Sequence, residues 1–590
     1  MNKNERTAVR QSPTTYARRA PGSTLRALAL GIAIACTPVA QALDIVDITI
    51  QEIEAGLASG AFTAVDLYNA HMERINKFEG TYNAFTFFNP TALAEAEALD
   101  AEYKLTGARS PLHGVPIVIK EAMDVKGLPS TAGYDRFYSG TGGIDLIPET
   151  DAPVVARLRE AGAIIIGKTN IPEFSRSGNN ASTSWDGDTF NAYDITLQPG
   201  GSSSGTAMAV AGSFAVVGTA EETGGSIQNP ASAHSLASVK TTNGLIPNSG
   251  VAPLSGATRD VVGPHARTVY DAAVMLDVMA GYSLADEKTM ASVGNIPKDG
   301  YVSMLSTTAL EGKRFGMIGD GWRARIMDPT NANSIAPETL AMYNQAMAEM
   351  EAEGATFVED PFAGTDFSAL RAAIPNAAAS NPFYFEKWLE RMGPSMIANK
   401  TAAENGISSI AALGMLGISP FDPGESFATT PTNFPLEFAN PDVPPNIEAF
   451  FEARAELISL FNSVLDAHDL DGLFFPQAVR PVPDLGGAGI GATTVSEINI
   501  VGLPGVTVSG GYYDDGSPFS VIFVGKQWSE GSLLSFAYDY EQATMHRIAP
   551  TLVAPVPVPA ALPLFAAALI PLARYRRRVV GARLNQRFAV

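Results

Sequence analysis

Cysteine is almost missing from this chain. The single thiol, Cys36, excludes an intramolecular disulfide, which a large domain does not need. Histidine is sparse as well. The six residues His71, His113, His234, His265, His468 and His546 are scattered, with no Cys/His cluster of the kind that holds zinc. No metal or other cofactor is expected. Positive charge is short where a nucleic-acid surface would need it. The first 42 residues carry +5 and the last 40 carry +6, so of a net charge of -21 the middle carries -32. So acidic a body repels phosphates, and no nucleic-acid partner is expected. Long apolar runs are wanting too. The clean stretch near the C-terminus, Ala560 to Ala573, has 14 residues, short for a stable membrane span.

What the chain has is bulk and punctuation. Its 590 residues are 46% hydrophobic, ample for a large core, with 54 glycines and 40 prolines spread between apolar runs. That spread describes many turns rather than one disordered tract.

The two ends read as sorting signals. A basic stretch ending at Arg26 precedes the apolar run Ala27–Ala35 and the small-residue site Ala40-Gln41-Ala42. Residues 1–42 are therefore expected to be a signal peptide cleaved after Ala42. In the tail, residues 551–590, Val556-Pro-Val-Pro-Ala560 leads into the short apolar segment. Arg574 and Arg576 to Arg578 follow. An apolar segment closed by arginines can halt in a membrane. This order resembles the PEP-CTERM type of sorting tail in its VPxPA variant. The resemblance implies export to the periplasm, outer envelope or surface of a Gram-negative cell. It also implies anchoring or removal of the tail by an exosortase-like enzyme, with export machinery as a further partner. An ordinary membrane tail is the alternative.

Between the ends, residues 43–550 read as one domain without internal repeats. Thr63-Ala-Val-Asp66 has the form of a capping box, and Val65, Tyr68, Met72 and Ile75 follow at helical spacing. Pro116 to Lys120 is an apolar strand that ends on a lysine. Residues 151–161 suit a helix opened by Asp151, feeding the β-branched run Ala163–Ile166, a strand buried on both faces. Such alternation predicts an α/β fold: a mixed sheet with helices on both sides. Residues 281–440 read as helices, such as Leu340 to Glu353, and loops covering one side of the site. Strands return at Leu473–Phe475, Val506–Val508 and Val521–Val524.

The chemistry concentrates between Pro199 and Pro247. Gly200-Gly-Ser-Ser-Ser-Gly205 opens it. A small-residue helix, Thr206 to Gly212, and an apolar strand, Phe214 to Val217, lead to Glu221-Glu-Thr-Gly-Gly-Ser226. Glycines let a backbone approach a ligand closely. Consecutive free N–H groups in such loops can hold an oxyanion.

The two loops, with their serines 24 residues apart, resemble the amidase signature family. Gly114-Val-Pro-Ile-Val-Ile-Lys120-Glu is similar to its lysine strand. Further matches lie in Lys240-Thr-Thr-Asn-Gly244, Asp260-Val-Val-Gly-Pro264, Ala266-Arg-Thr268, Gly502-Leu-Pro504 and Tyr540-Glu-Gln-Ala-Thr544. The likeness spans most of residues 45–550 and is weak over 281–440. It implies a single large amidase-signature domain that hydrolyses non-cyclic amides. Ser226 would be the nucleophile, Ser202 a bridging serine on a cis peptide, and Lys120 the base. The N–H groups of Thr223, Gly224, Gly225 and Ser226 would hold the oxyanion. A small-molecule or short-peptide amide is the implied substrate, and a homodimer the implied assembly. A serine hydroxyl needs a positioned base, and lysine serves only when neutral, which burial favours.

Three positions depart from the family pattern. Gln228 stands where arginine is common, Glu221-Glu222 where Thr-Asp or Thr-Glu is common, and His234-Ser235 where Cys-Gly is common. Three other readings stay open. Gly201-Ser-Ser203-Ser-Gly205 fits the GxSxG nucleophile elbow of lipases and esterases, which needs a preceding strand and a catalytic histidine. A surface-displayed binding protein could have kept the fold without the activity. A component of an amidotransferase working on charged tRNA is disfavoured by the acidic body and the export signal.

Overall fold

The computed structural model describes residues 43–377, 380–392 and 446–555, all within one compact unit. The expected signal peptide at 1–42, residues 393–440 of the expected covering region and the tail from 556 onward lie outside the described residues. Among the described residues, no helix is long and apolar enough to cross a membrane.

The strands in chain order are β1 (Phe85–Phe88), β2 (Pro116–Lys120), β3 (Ile164–Thr169), β4 (Ser182–Thr183), β5 (Gly187–Asp188), β6 (Val217–Glu222), β7 (Ala237–Lys240), β8 (Val261–Ala266), β9 (Arg314–Gly316), β10 (Thr356–Val358), β11 (Gly472–Pro476), β12 (Gly505–Tyr512) and β13 (Pro518–Val524). Eleven of them form one sheet in the order β1-β3-β2-β6-β8-β7-β12-β13-β11-β9-β10, and β4 and β5 form a separate ribbon. The sheet is mixed. β3, β2 and β6 run parallel, as do β11, β9 and β10, and the strands between pair antiparallel. Flanking helices complete the single large α/β domain expected from the alternation.

Every residue of β2 and β3 is buried, as apolar β-branched runs demand of strands covered on both faces. The helix Ala64–Tyr82 opens on the expected capping box: Asp66 N donates to Thr63 Oγ1 and Thr63 N to the Asp66 carboxylate. The helix Pro337–Ala352 matches the predicted pattern within a few residues.

Three local expectations need correction. The helix Pro153–Glu160 is capped by Ala152, not Asp151. Pro153 supplies the pre-set first turn, while the Asp151 carboxylate takes the N–H of Lys126 and the guanidinium of Arg159. Phe214 to Val216 are not strand residues. They form a fully buried turn, and β6 starts at Val217. A short apolar run signals burial but not conformation. Finally, the stretch after residue 281 is more than a cover of helices and loops, because β9 and β10 extend the sheet to its far edge.

Candidate active site

β2 and β6 lie side by side and parallel, with Ile117 opposite Val217 and Val118 opposite Gly218. Their carboxyl ends therefore deliver Lys120 and Glu221 to one place, the end of a parallel sheet where α/β folds bind ligands. Lys120 is fully buried. Its Nζ meets three oxygens: Ser202 Oγ at 2.7 Å, Glu221 O at 2.8 Å and Glu221 Oε2 at 2.9 Å. Burial pushes the Lys120 pKa below its ordinary value, while the charges of Glu221, Glu222 and Asp260 pull against that shift. Burial also pushes Glu221 upward, opposed by Lys120.

Ser202 arrives on the first glycine-serine loop, just before the helix Ser204–Ala211. The Gly201–Ser202 peptide is cis. Gly201 is locked in: a Cβ there would lie 2.5 Å from Ser177 O and 2.6 Å from Asn180 O. Gly201 N donates to Gly178 O at 3.0 Å.

Ser226 sits on the second loop, between β6 and the short helix Gln228–Ala233. Glu222 holds that loop from behind. Its carboxylate accepts from Ile227 N, Gln228 N, Gln228 Nε2 and Asn499 Nδ2 at 2.5–3.0 Å. Gln228 thus supplies a neutral partner to Glu222. Thr223 Oγ1 donates to Asp260 Oδ1 at 2.5 Å, and Asp260 also takes the N–H groups of Leu254, Ser255 and Gly256. Gly225 adopts φ 102°, and a Cβ on it would meet Val495 and Asn229. Among the described residues, the N–H groups of Thr223, Gly224, Gly225 and Ser226 donate to no protein acceptor, and Gly224 is exposed.

The structure therefore brings Lys120 onto Ser202 and sets Ser226 on the loop that follows Glu221 and Glu222. Among the described residues, no hydrogen bond joins Ser226 Oγ to Ser202 Oγ. Catalytic contacts are often long without substrate and tighten when it binds. A cavity of about 630 Å³ lies on the Asp260 side, lined by Asp260, Lys288, Tyr384, Trp388 and Arg391. A smaller one of about 300 Å³ lies on the Gly225 side, lined by Asn229, Arg323, Arg371, Val495 and Glu497. Among the described residues, no group of three or more His, Cys, Asp or Glu side chains could hold a metal ion.

The nucleophile-elbow reading loses its footing. No strand runs into residues 200–203. Ser203 is fully buried, with its Oγ set against the backbone of Glu221. His234 and His265 are buried, with pKa values pushed down to about 4 and about 3; both ring nitrogens of His234 and Nε2 of His265 face backbone groups. His546 pairs with Glu349, and His468 caps the helix Glu448–Ala467.

Two participants escaped the sequence reading. The Glu221 carboxyl contacts Lys120, and Asp260 ties Thr223 to the turn before β8. Both stood in noted segments, one as a departure and one as a match without a role.

Known proteins similar in sequence and fold point to one family. The family model Amidase matches residues 66–402. A protein of Arabidopsis thaliana described as a probable amidase is 28% identical over 86% of this chain and 92% of its own. One component of the glutamyl-tRNA(Gln) amidotransferase of Rippkaea orientalis is 28% identical over 84% of this chain and 98% of its own. The crystal structure of peptide amidase from Stenotrophomonas maltophilia superposes with a TM-score of 0.66 at 28% identity, over 85% of this chain and 98% of that one.

Proposed function

Because this chain belongs to the amidase family, whose members act on carbon–nitrogen bonds, we propose that it hydrolyses linear amides through an acyl-enzyme on Ser226. The observation that carries the reading is the buried contact of 2.7 Å between Lys120 Nζ and Ser202 Oγ at the end of the parallel strands. Ser226 Oγ attacks the amide carbonyl and passes its proton to Ser202 Oγ, whose own proton moves to neutral Lys120. The proton returns by the same route to the leaving nitrogen, which cannot depart as an anion. The N–H groups of Thr223, Gly224, Gly225 and Ser226 receive the oxyanion, and their lack of protein acceptors supports that role. Water then attacks the ester and releases the acid.

The likeness to a peptide amidase favours a small or short-peptide amide as substrate. Against a tRNA-bound substrate stands the charge of -32 between the terminal segments. The signal-like residues 1–42 and the arginine-closed tail support an exported protein of the Gram-negative envelope.

The test is a panel of primary amides, peptide C-terminal amides and acylated amines, with product acid and amine quantified for wild type and Ser226→Ala. Release from at least one linear amide, lost in the variant, is expected. A folded wild-type enzyme that cuts none of them, or a variant with undiminished turnover, would overturn the reading.

A further inference from the structure

Lys120 must be neutral to act as a base, yet its nearest ionisable neighbour is an acid. Glu221 Oε2 lies 2.9 Å from Nζ, and both side chains are essentially excluded from solvent. The pair shares one titrating proton, and the hydrogen bonds around it say where that proton resides.

The carboxyl of Glu221 has two neighbours. Oε2 faces Lys120, and Oε1 lies 3.2 Å from Thr223 Oγ1. Thr223 has one hydroxyl proton to give. Its other neighbour is Asp260 Oδ1 at 2.5 Å, the shorter contact. Asp260 also collects three backbone N–H groups, the surroundings of a carboxylate anion. The hydroxyl proton of Thr223 therefore goes to Asp260. An ionised Glu221 would then keep a single donor, Lys120, and would set Oε1 against an oxygen lone pair in a buried site. That arrangement is costly. A protonated Glu221 meets no such conflict, because Oε1–H donates to Thr223 Oγ1 while Oε2 accepts from Lys120.

The lysine side of the count agrees. A neutral amine has two N–H bonds and one lone pair. Glu221 O and Glu221 Oε2 are acceptors and take the two N–H bonds. The lone pair is left facing the third neighbour, Ser202 Oγ, whose hydroxyl can donate to it.

We propose that Glu221 is a positioning residue that holds the shared proton as a neutral carboxylic acid and aims the free lone pair of Lys120 at Ser202. This rests on the serine-amidase reading and extends it to a residue outside the Lys120, Ser202 and Ser226 relay. The direction of both shifts, Lys120 down and Glu221 up, is the one this assignment needs. The charged groups around the pair are Glu222 on β6, Asp260 before β8 and Lys288 from the segment after β8, with neutral His265 on β8.

The pH dependence of Ser226 labelling by a fluorophosphonate tests it, with wild type, Glu221→Gln and Glu221→Ala of the full chain, each checked for fold by circular dichroism. Glutamine copies the neutral acid: its oxygen can accept from Lys120 and its NH2 can donate to Thr223. Its labelling rate is expected to fall roughly tenfold at most, with the acid limb of the pH profile within about half a unit of wild type. Alanine leaves the amine unaimed, and a loss of roughly a hundredfold is expected, within the span of positioned acid–base effects. An acid limb in Glu221→Gln displaced by more than about one unit would show that Glu221 is ionised in the wild type and would overturn the proposal. So would a Glu221→Ala variant as fast as wild type. Failure of the amidase reading itself looks different: no label on Ser226 in folded wild-type protein.

Discussion

Lys120 and Lys240 invite comparison. Each is the last residue of a strand in the same sheet, β2 and β7, and each is completely buried. Burial depresses both, Lys240 to about 7. They differ in what they touch. Lys240 Nζ donates to the carbonyl of Leu503 at 2.7 Å and that of Ile498 at 3.4 Å. Carbonyls only accept, so this amine fastens β7 to the segment before β12. Lys120 has a hydroxyl among its three neighbours, a group that can give a proton. Burial thus favours the neutral amine in both lysines, but only a partner with a proton to give lets that amine serve as a base.

The comparison breaks if the two lysines respond alike to removal. The largest effect is expected for Lys120→Met, which keeps the apolar stem and removes the amine. Labelling of Ser226 should fall by roughly a thousandfold or more, with the far-UV spectrum unchanged. Gly225→Ala comes next. Its φ and the Val495 contact forbid a side chain, so the second loop must shift. A loss of roughly a hundredfold in labelling rate, comparable to losing an oxyanion donor, is expected. The third effect is on stability. Lys240→Met leaves Leu503 O without its buried donor, and urea unfolding should show a loss of about 1–3 kcal/mol, while each folded molecule still labels at nearly the wild-type rate. A Lys240→Met protein that folds but does not label would end the distinction.

The fourth effect concerns pH. The folded pKa of Lys240, about 7, lies below the unfolded value of about 10.4. Between these values the unfolded chain holds the extra proton, so this group makes stability rise with pH. Below pH 7 both states are protonated, and its destabilising contribution is constant. The difference in unfolding free energy between wild type and Lys240→Met should therefore move in favour of wild type from pH 7 to 10. A flat difference would place the Lys240 pKa near its ordinary value.

Much of this site could be read from the chain because its parts are local. Lys120 ends an apolar strand, Ser202 and Ser226 sit in glycine loops, and each is tied to a stretch of a few residues with fixed backbone demands. Glu221 was not legible as a partner of Lys120. Two adjacent carboxylates carry no mark of which strand they will face, and the contact is made only when β2 and β6 pair in register. Asp260 was hidden for the same reason, since its link to Thr223 spans 37 residues. In the fold, the long runs in β2, β3 and β13 announced themselves. β9 and β10, three residues each, are too short to show a period of two. Asp151 looked like a helix cap because its type fits one, but its carboxylate is drawn away by Arg159 and Lys126.

The central claim is that Lys120, not Lys240, activates Ser226 through Ser202. It is tested most directly by peptide mapping of the fluorophosphonate adduct on wild type, Lys120→Met, Ser202→Ala and Lys240→Met under identical conditions. The account predicts an adduct on Ser226 in wild type and Lys240→Met, and almost none in the other two. An adduct on Ser203, or undiminished labelling of Ser226 in Lys120→Met, would contradict it.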